Sequence, residues 1–288
     1  MRKIPFCKMH GLGNCYIYIN QFEVVLKEGE LSSLAKSMAD LHFGIGSDGM
    51  ILIGPSQRAD IRMRIFNADG SEGKNCGNGL RCVARYVYDH GIVQQRNMTI
   101  ETGGGMMKAT LHVHGDAVEG ITVNLGKAHL KKKEIPMLGD PESYTIAEPF
   151  IFQVNGVPYT LPVTTVSLGS AHAVFIVDDV KAIPMSIWGP ILERHPAFPD
   201  RVNVEFIQII KPNEILFRVW ERGSGITMAC GTGATASVIA GILNDKVAKY
   251  EPVTVHLEGG DLQIEWTRED ELLMTGPAEY ICTGDFLI

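Results

Sequence analysis

The chain has 288 residues, enough for two ordinary domains or one large one with a full core, so neither disulfide nor metal is required for stability. Hydrophobic residues make up 45% and charged residues 20%, globular values that exclude disorder and collagen-like repeats. The net charge is −7, and the only basic run is Lys131-Lys132-Lys133, so nucleic acid is not an expected partner.

The N-terminal residues are basic but lack the apolar stretch of a signal peptide. No window approaches the ~18 apolar residues of a spanning helix. The expectation is a soluble, cytoplasmic chain with no membrane partner. Its six cysteines, Cys7, Cys15, Cys76, Cys82, Cys230 and Cys282, are then read as thiols. No C-x-x-C spacing occurs, so no metal is expected.

Taken in chain order, Gly13-Asn14-Cys15-Tyr16-Ile17-Tyr18-Ile19 reads as a strand and residues 31–41 have helical spacing. Arg62-Met63-Arg64-Ile65-Phe66 reads as a second strand, closed by an aromatic. A glycine-rich loop leads to Cys76 and an apolar helix running to about Asp89, and a strand ends at Thr102-Gly103-Gly104. The same series then recurs. Gly169-Ser170-Ala171-His172-Ala173-Val174-Phe175 echoes the first strand, and residues 183–194 supply a helix. Phe217-Arg218-Val219-Trp220 precedes Cys230, which opens a helix to about Asn244, and a strand ends at Glu258-Gly259-Gly260.

The centres of the repeat are Cys76-Gly77-Asn78-Gly79 and Cys230-Gly231-Thr232-Gly233, each C-G-x-G before small, apolar residues. Four landmarks in the same order make the chain two copies of one unit. Helices apolar on most faces are buried on most faces. The fold class is therefore α/β (α+β), with two pseudo-symmetric domains, each a sheet wrapped around one central helix. The domains are placed at 1–127 with 277–288, and at 128–276.

A cysteine at a helix N-terminus meets unpaired N–H groups that attract anions. Two consequences are expected: a lowered thiol pKa at Cys76 and Cys230, and N–H groups free to hold a substrate carboxylate. Two such units face to face would flank one carbon with two thiols, the layout for moving a proton from one face to the other. That is cofactor-independent racemisation or epimerisation, helped by hydrogen bonds that strengthen as enolate-like charge develops. Cys7, Cys15, Cys82 and Cys282 are read instead as small buried hydrophobes. His10 is assigned to a strand end.

Further motifs lie in order along nearly the whole chain. They are Lys8-Met9-His10-Gly11-Leu12-Gly13-Asn14, Phe43-Gly44-Ile45-Gly46-Ser47-Asp48-Gly49, Phe66-Asn67-Ala68-Asp69-Gly70-Ser71-Glu72, Arg201-Val202-Asn203-Val204 and Trp220-Glu221-Arg222-Gly223-Ser224-Gly225. With the two cysteine motifs, they resemble the diaminopimelate epimerases. The resemblance implies interconversion of LL- and meso-diaminopimelate, with no cofactor, in the cleft between two β-barrel-like domains, and a homodimer. It implies Cys76 and Cys230 as the acid/base pair, with His172 and Glu221 supporting them. Gly77, Asn78, Gly231 and Thr232 would hold the reacting carboxylate through backbone N–H groups. Asn14, Asn67, Ser170, Asn203, Glu221 and Arg222 would hold the rest of this small amino-acid substrate.

The chain departs from the family pattern at three places. Ser170-Ala171 stands where the family usually has Asn-Pro, Cys15 where it has Asp, and Ile226 where a carboxylate is frequent. Ser170 is the departure able to alter specificity, because a shorter side chain leaves a gap or admits a water. Two rival readings follow. One is a related racemase of histidine or another basic amino acid. The other is a dinucleotide site, since residues 231–236 fit G-x-G-x-x-A. That reading asks for a strand directly before the glycines and an acidic strand end about 20 residues later, and neither is evident.

Overall fold

The computed structural model describes residues 2–115 and 117–288. It divides into two compact units, Met1–Asn124 with Thr275–Ile288, and Leu125–Met274. The junctions thus fall at 124/125 and 274/275 instead of 127/128 and 276/277, because the first follows the end of a strand and the second lies within one.

Strands are numbered β1 to β18 and α-helices α1 to α4 along the chain. The first unit contains β1 (Lys3–Gly11), β2 (Asn14–Asn20), β3 (Gly49–Gly54), β4 (Ile61–Asn67), β5 (Glu72–Gly73), β6 (Asn97–Thr102), β7 (Gly105–His114), β8 (Ala117–Asn124) and β18 (Glu279–Leu287). The second contains β9 (Glu148–Val154), β10 (Val157–Ser167), β11 (Ala171–Ile176), β12 (Asn203–Lys211), β13 (Glu214–Glu221), β14 (Gly225–Ile226), β15 (Val253–Leu257) and β16 (Gly260–Trp266), while β17 (Leu272–Gly276) spans the second junction. Helices α1 (Leu31–Ala39) and α2 (Gly77–Asp89) belong to the first unit, α3 (Met185–Glu193) and α4 (Gly231–Leu243) to the second.

The duplication expected from the cysteine motifs is present in the strand pairing. In the first unit the order is β18-β1-β2-β3-β4-β6-β7-β8, with β2 parallel to β3 and β4 parallel to β6. In the second it is β9-β10-β11-β12-β13-β15-β16, with β11 parallel to β12 and β13 parallel to β15. Parallel neighbours need a crossover, and α1, α2, α3 and α4 supply the four. The short strands β5 and β14 occupy the same place, each antiparallel to the strand before its cysteine.

Each sheet curls around its second helix. Helix α2 packs on β1 and β2 near one end of its sheet and on β7 and β8 at the other; α4 packs on strands from β10 to β16. A helix can touch both ends of one sheet only if the sheet wraps it. Leu80, Val83, Ala84 and Val87 form the i, i+3, i+4, i+7 stripe of α2 and are buried. In α4 burial extends around nearly the full circumference, from Gly231 to Ile242.

The other two helices, α1 and α3, cover the outer face of each sheet. Leu31, Leu34, Ala35 and Met38 of α1 pack on Ile17, Ile19, Met50 and Leu52. In the second unit the corresponding core is aromatic, with Phe175 stacked on Phe206 at 5.1 Å and Trp188 of α3 beside Phe206 at 6.0 Å.

Helices α1 and α3 are both shorter than their spacing suggests. Helix α1 stops at Ala39, because the Asp40 carboxylate accepts the N–H groups of His42 and Phe43 and turns the chain, leaving Leu41 exposed. Helix α3 starts at Met185 instead of residue 183, because Pro184 holds Ile183 extended at φ −75°, ψ 123°. Replacing the fully buried Phe206 by alanine should cost about 3–5 kcal/mol, read as a lowered urea midpoint at unchanged slope.

Candidate active site

Each unit places its cysteine at the N-cap of its wrapped helix. Cys76 has φ −148°, ψ 111°, and its sulfur accepts the Gly79 N–H at 3.3 Å. Cys230 has φ −121°, ψ 104°, and its sulfur accepts the Gly233 N–H at 3.4 Å. The sulfur thus takes the place of the oxygen of a capping serine or aspartate. Gly77, Asn78, Gly231 and Thr232 fill the first two helical positions, whose N–H groups have no intrahelical carbonyl to reach.

The glycine third after each cysteine is required by close packing. A Cβ at Gly79 would lie 2.7 Å from Ile51 Cδ1 and 3.1 Å from Met63 Cε. A Cβ at Gly233 would lie 2.8 Å from Glu205 Oε1 and 3.2 Å from Cys230 Sγ. The second x-Gly of each motif therefore lets the helix end sit against the sheet with the sulfur turned back upon it.

In the first unit the cysteine is surrounded by amides. Cys76 Sγ donates to Asn14 Oδ1 at 3.5 Å, and Asn78 Nδ2 donates to the same oxygen at 3.1 Å. Asn14 is oriented by Asp48, which accepts from Asn14 Nδ2 at 2.8 Å and from the Cys15 N–H at 2.7 Å. The Tyr16 hydroxyl is within hydrogen-bonding reach of Cys76 and Asn14, and burial, followed by the charge of Cys76, pushes it well above the usual tyrosine range. Asn67 stands at the end of β4, where Nδ2 donates to Ser71 Oγ at 3.0 Å.

In the second unit the cysteine has carboxylates as neighbours. His172 of β11 and Glu205 of β12 are both fully buried, and His172 Nδ1 lies 2.6 Å from Glu205 Oε1. The other ring nitrogen, Nε2, lies 2.9 Å from Ser170 Oγ. Asn203 donates through Nδ2 to the Ala171 carbonyl at 2.9 Å and accepts the Arg222 N–H at 2.9 Å. It thereby ties the loop after β13 to the start of β11. Glu221 accepts a hydrogen bond from Thr227 Oγ1. Arg222 donates to the Asp200 carbonyl at 3.0 Å and, with Ser170, Arg201 and His129, lines an open cavity of about 450 Å3.

The expectation of a lowered thiol pKa is overturned at Cys230. Burial pushes this thiol well above the ordinary cysteine range, and the charges of Glu221 and Glu205 push it further. The Thr232 and Gly233 hydrogen bonds act in the opposite direction and are outweighed. One helix terminus supplies a fraction of a charge, whereas two carboxylates supply whole charges in a site with little water. Two of the four cysteines read as buried hydrophobes also differ: Cys15 is half-buried, and Cys282 is exposed on β18, whose residues are nearly all exposed.

Four residues with positioning tasks were not singled out from the sequence: Tyr16, Asp48, Glu193 and Glu205. Glu193 is a buried carboxylate on α3 that accepts Trp220 Nε1 at 2.8 Å and the Gly223 N–H at 3.1 Å, so it anchors the loop carrying Glu221 and Arg222. Glu205 had a visible signal. Alternation along β12 puts it on the face of Asn203, and that face is otherwise apolar through Ile207. The G-x-G-x-x-A reading fails in the structure, because β13 ends at Glu221 and the loop bearing β14 separates it from Gly231.

The sequence profile of the family described as diaminopimelate epimerase matches residues 6–131 and 164–281. The chain belongs to the diaminopimelate epimerase family. All the site residues named above lie inside the matched segments. A diaminopimelate epimerase from Geobacillus sp. (strain WCH70) is 54% identical over 284 residues, covering 99% of both chains. One from Bacillus pumilus (strain SAFR-032) is 52% identical over 288 residues and covers 100% of both. Among solved structures, a phenazine biosynthesis protein of the PhzF family from Bacillus anthracis aligns with a TM-score of 0.72 at 16% identity, covering 100% of both chains. A hydroxyproline epimerase from Agrobacterium vitis aligns with a TM-score of 0.69 at 13% identity, covering 99% of this chain and 91% of that one. The two solved structures share the fold of this epimerase-family chain.

The six thiols should differ sharply towards iodoacetamide. Cys282 is exposed, whereas burial pushes Cys7 and Cys82 up to about 12. Because the thiolate is the nucleophile, brief alkylation of the folded protein at neutral pH should label Cys282 and leave Cys7 and Cys82 untouched. Peptide mapping checks this. Labelling of Cys82 ahead of Cys282 would contradict the burial described here.

Proposed function

We infer that this chain is an isomerase that epimerises LL-diaminopimelate to meso-diaminopimelate, using two cysteines on opposite faces of one α-carbon. The observation that carries the reading is the repeated cap: two sulfurs, each at the first turn of a wrapped helix, in a chain of this family. The step belongs to the supply of lysine and of peptidoglycan precursors. A cytoplasmic setting fits, because both thiols must stay reduced. A homodimer is the assembly that goes with the reading.

The reaction needs one proton taken from the α-carbon and one delivered to its other face. The thiolate takes the first, and the opposite thiol delivers the second. Cys230 is held as a thiol by burial and by Glu221 and Glu205, so it is the proton donor in the resting unit. The roles exchange when the other isomer is bound. The N–H groups at Gly77, Asn78, Gly231 and Thr232 stabilise the charge that spreads onto the carboxylate as the carbanion forms. No electron sink beyond those hydrogen bonds enters the scheme.

The far end of the substrate is assigned to Arg222, Asn14, Asn67, Asn203 and Ser170. The cavity beside Arg222 and Ser170 supports this, since a guanidinium suits a carboxylate and would be wasted on a side chain without one. Histidine and lysine lack that second carboxylate, which is why diaminopimelate is preferred over the rival racemase reading.

Cys76→Ser and Cys230→Ser should each nearly abolish epimerisation in a coupled stereochemical assay, while exchange of a substrate proton with solvent at one face can persist. Full activity in either variant would refute the two-thiol scheme. In a crystal structure with a substrate analogue, both sulfurs should stand about 3–3.5 Å from the α-carbon, and a separation between them well beyond about 8 Å would count against it.

Ser170→Asn should leave turnover intact and change substrate affinity by no more than threefold to tenfold, the worth of one hydrogen bond at about 0.5–1.5 kcal/mol. Efficient racemisation of histidine or lysine by the purified protein, with diaminopimelate ignored, would show that Ser170 marks a change of specificity.

A further inference from the structure

Glu205 is a carboxylate placed where a carboxylate is costly. It is fully buried on the central strand β12, and among the described residues its Oε2 has no hydrogen-bond partner. Its Oε1 is 2.6 Å from His172 Nδ1. A buried carboxylate retained for stability normally satisfies several donors, as Glu193 does with Trp220 and Gly223 on the neighbouring helix. Glu205 meets one imidazole only, and leaves half of its bonding capacity unused. Burial also raises its pKa, with His172 pulling in the opposite direction.

The parallel register explains how the pair forms. His172 on β11 is paired with Asn203 on β12, so Glu205, two residues further along, emerges on the same face. The imidazole is then held at both nitrogens, by Glu205 at Nδ1 and by the Ser170 hydroxyl at Nε2. A carboxylate at Nδ1 accepts that nitrogen's proton and leaves Nε2 bare, so the Ser170 hydroxyl donates to Nε2. Glu205 Oε1 also crowds the point of α4 that Cys230 Sγ crowds, both within 3.2 Å of where a Gly233 side chain would begin.

We propose that Glu205 is a positioning residue of the epimerase: it holds His172 as the Nδ1–H tautomer and turns the bare Nε2 towards Ser170, which lines the open cavity. The proposal rests on the epimerase reading for its consequence in turnover, although the tautomer itself does not depend on it. His172 then has one defined proton-accepting nitrogen. The Ser170 hydroxyl that donates to this nitrogen also lines the cavity, so its orientation depends on which nitrogen of His172 carries the hydrogen. The buried pair is thereby connected to the cavity through one hydroxyl.

The test uses the full-length protein. Glu205→Gln preserves shape but allows the amide to meet Nδ1 as donor or acceptor, so the tautomer is no longer dictated. Its kcat on LL-diaminopimelate should fall on the order of 10²-fold, with KM changed less than threefold. Its melting temperature should not fall, because an expensive buried charge has been removed. In His172→Gln, adding Glu205→Gln should cause no further loss. A Glu205→Gln protein with wild-type kcat, or losses that multiply in the double variant, would overturn the proposal.

Should Glu205→Gln fail to fold, the wild-type protein decides the matter. The 15N chemical shifts of His172 in histidine-labelled protein should show Nδ1 protonated and Nε2 bare. The opposite tautomer overturns the proposal. If wild-type protein is inactive on diaminopimelate, the epimerase reading fails while the tautomer measurement still stands.

Discussion

The hydrogen bond from the third helical N–H to a cysteine sulfur is the contact on which both halves of the chain are built. It fixes the sulfur at the mouth of a helix whose remaining first-turn N–H groups point outwards. It also explains why the glycine that donates must be glycine, since a side chain at Gly79 would strike Ile51 and one at Gly233 would strike Glu205. The wrapped sheet follows from the same requirement. A helix whose N-terminus is left open must be held by its sides, and α2 and α4 are gripped by strands from both ends of their sheets.

Around this shared frame the two units have diverged in electrostatics. Cys76 is set among neutral amides and a tyrosine, with Asp48 one step removed behind Asn14. Cys230 is set near Glu205 and Glu221 in a buried position. Burial, with the two carboxylates added, favours the thiol form at Cys230. On the proposed two-thiol scheme, this difference would set which sulfur rests as the proton donor.

In the second unit, two buried residues fasten the loop after β13. Asn203 uses both ends of its carboxamide on backbone, joining β11 to the loop of Arg222. Glu193 holds that loop from the α3 side through Gly223 and Trp220. The loop that carries Glu221 and Arg222 is thus fastened at two points by buried side chains, so its backbone is already ordered without a ligand.

The duplication, the wrapped helices and the two cysteines were legible in the sequence because each rests on local order: C-G-x-G before an apolar helix, and strands at matching distances. Helix ends were less legible, since Asp40 and Pro184 act through one or two hydrogen bonds or torsions that spacing does not register. Asp48 and Glu205 were present in quoted or neighbouring motifs, but their tasks depend on partners 34 and 33 residues away, Asn14 and His172. The raised pKa of Cys230 is the plainest case. From sequence alone, a helix start implies a lowered thiol pKa. Only the tertiary structure supplies the burial and the two carboxylates; the loss of solvation, with the carboxylates added, outweighs the partial charge of the helix terminus.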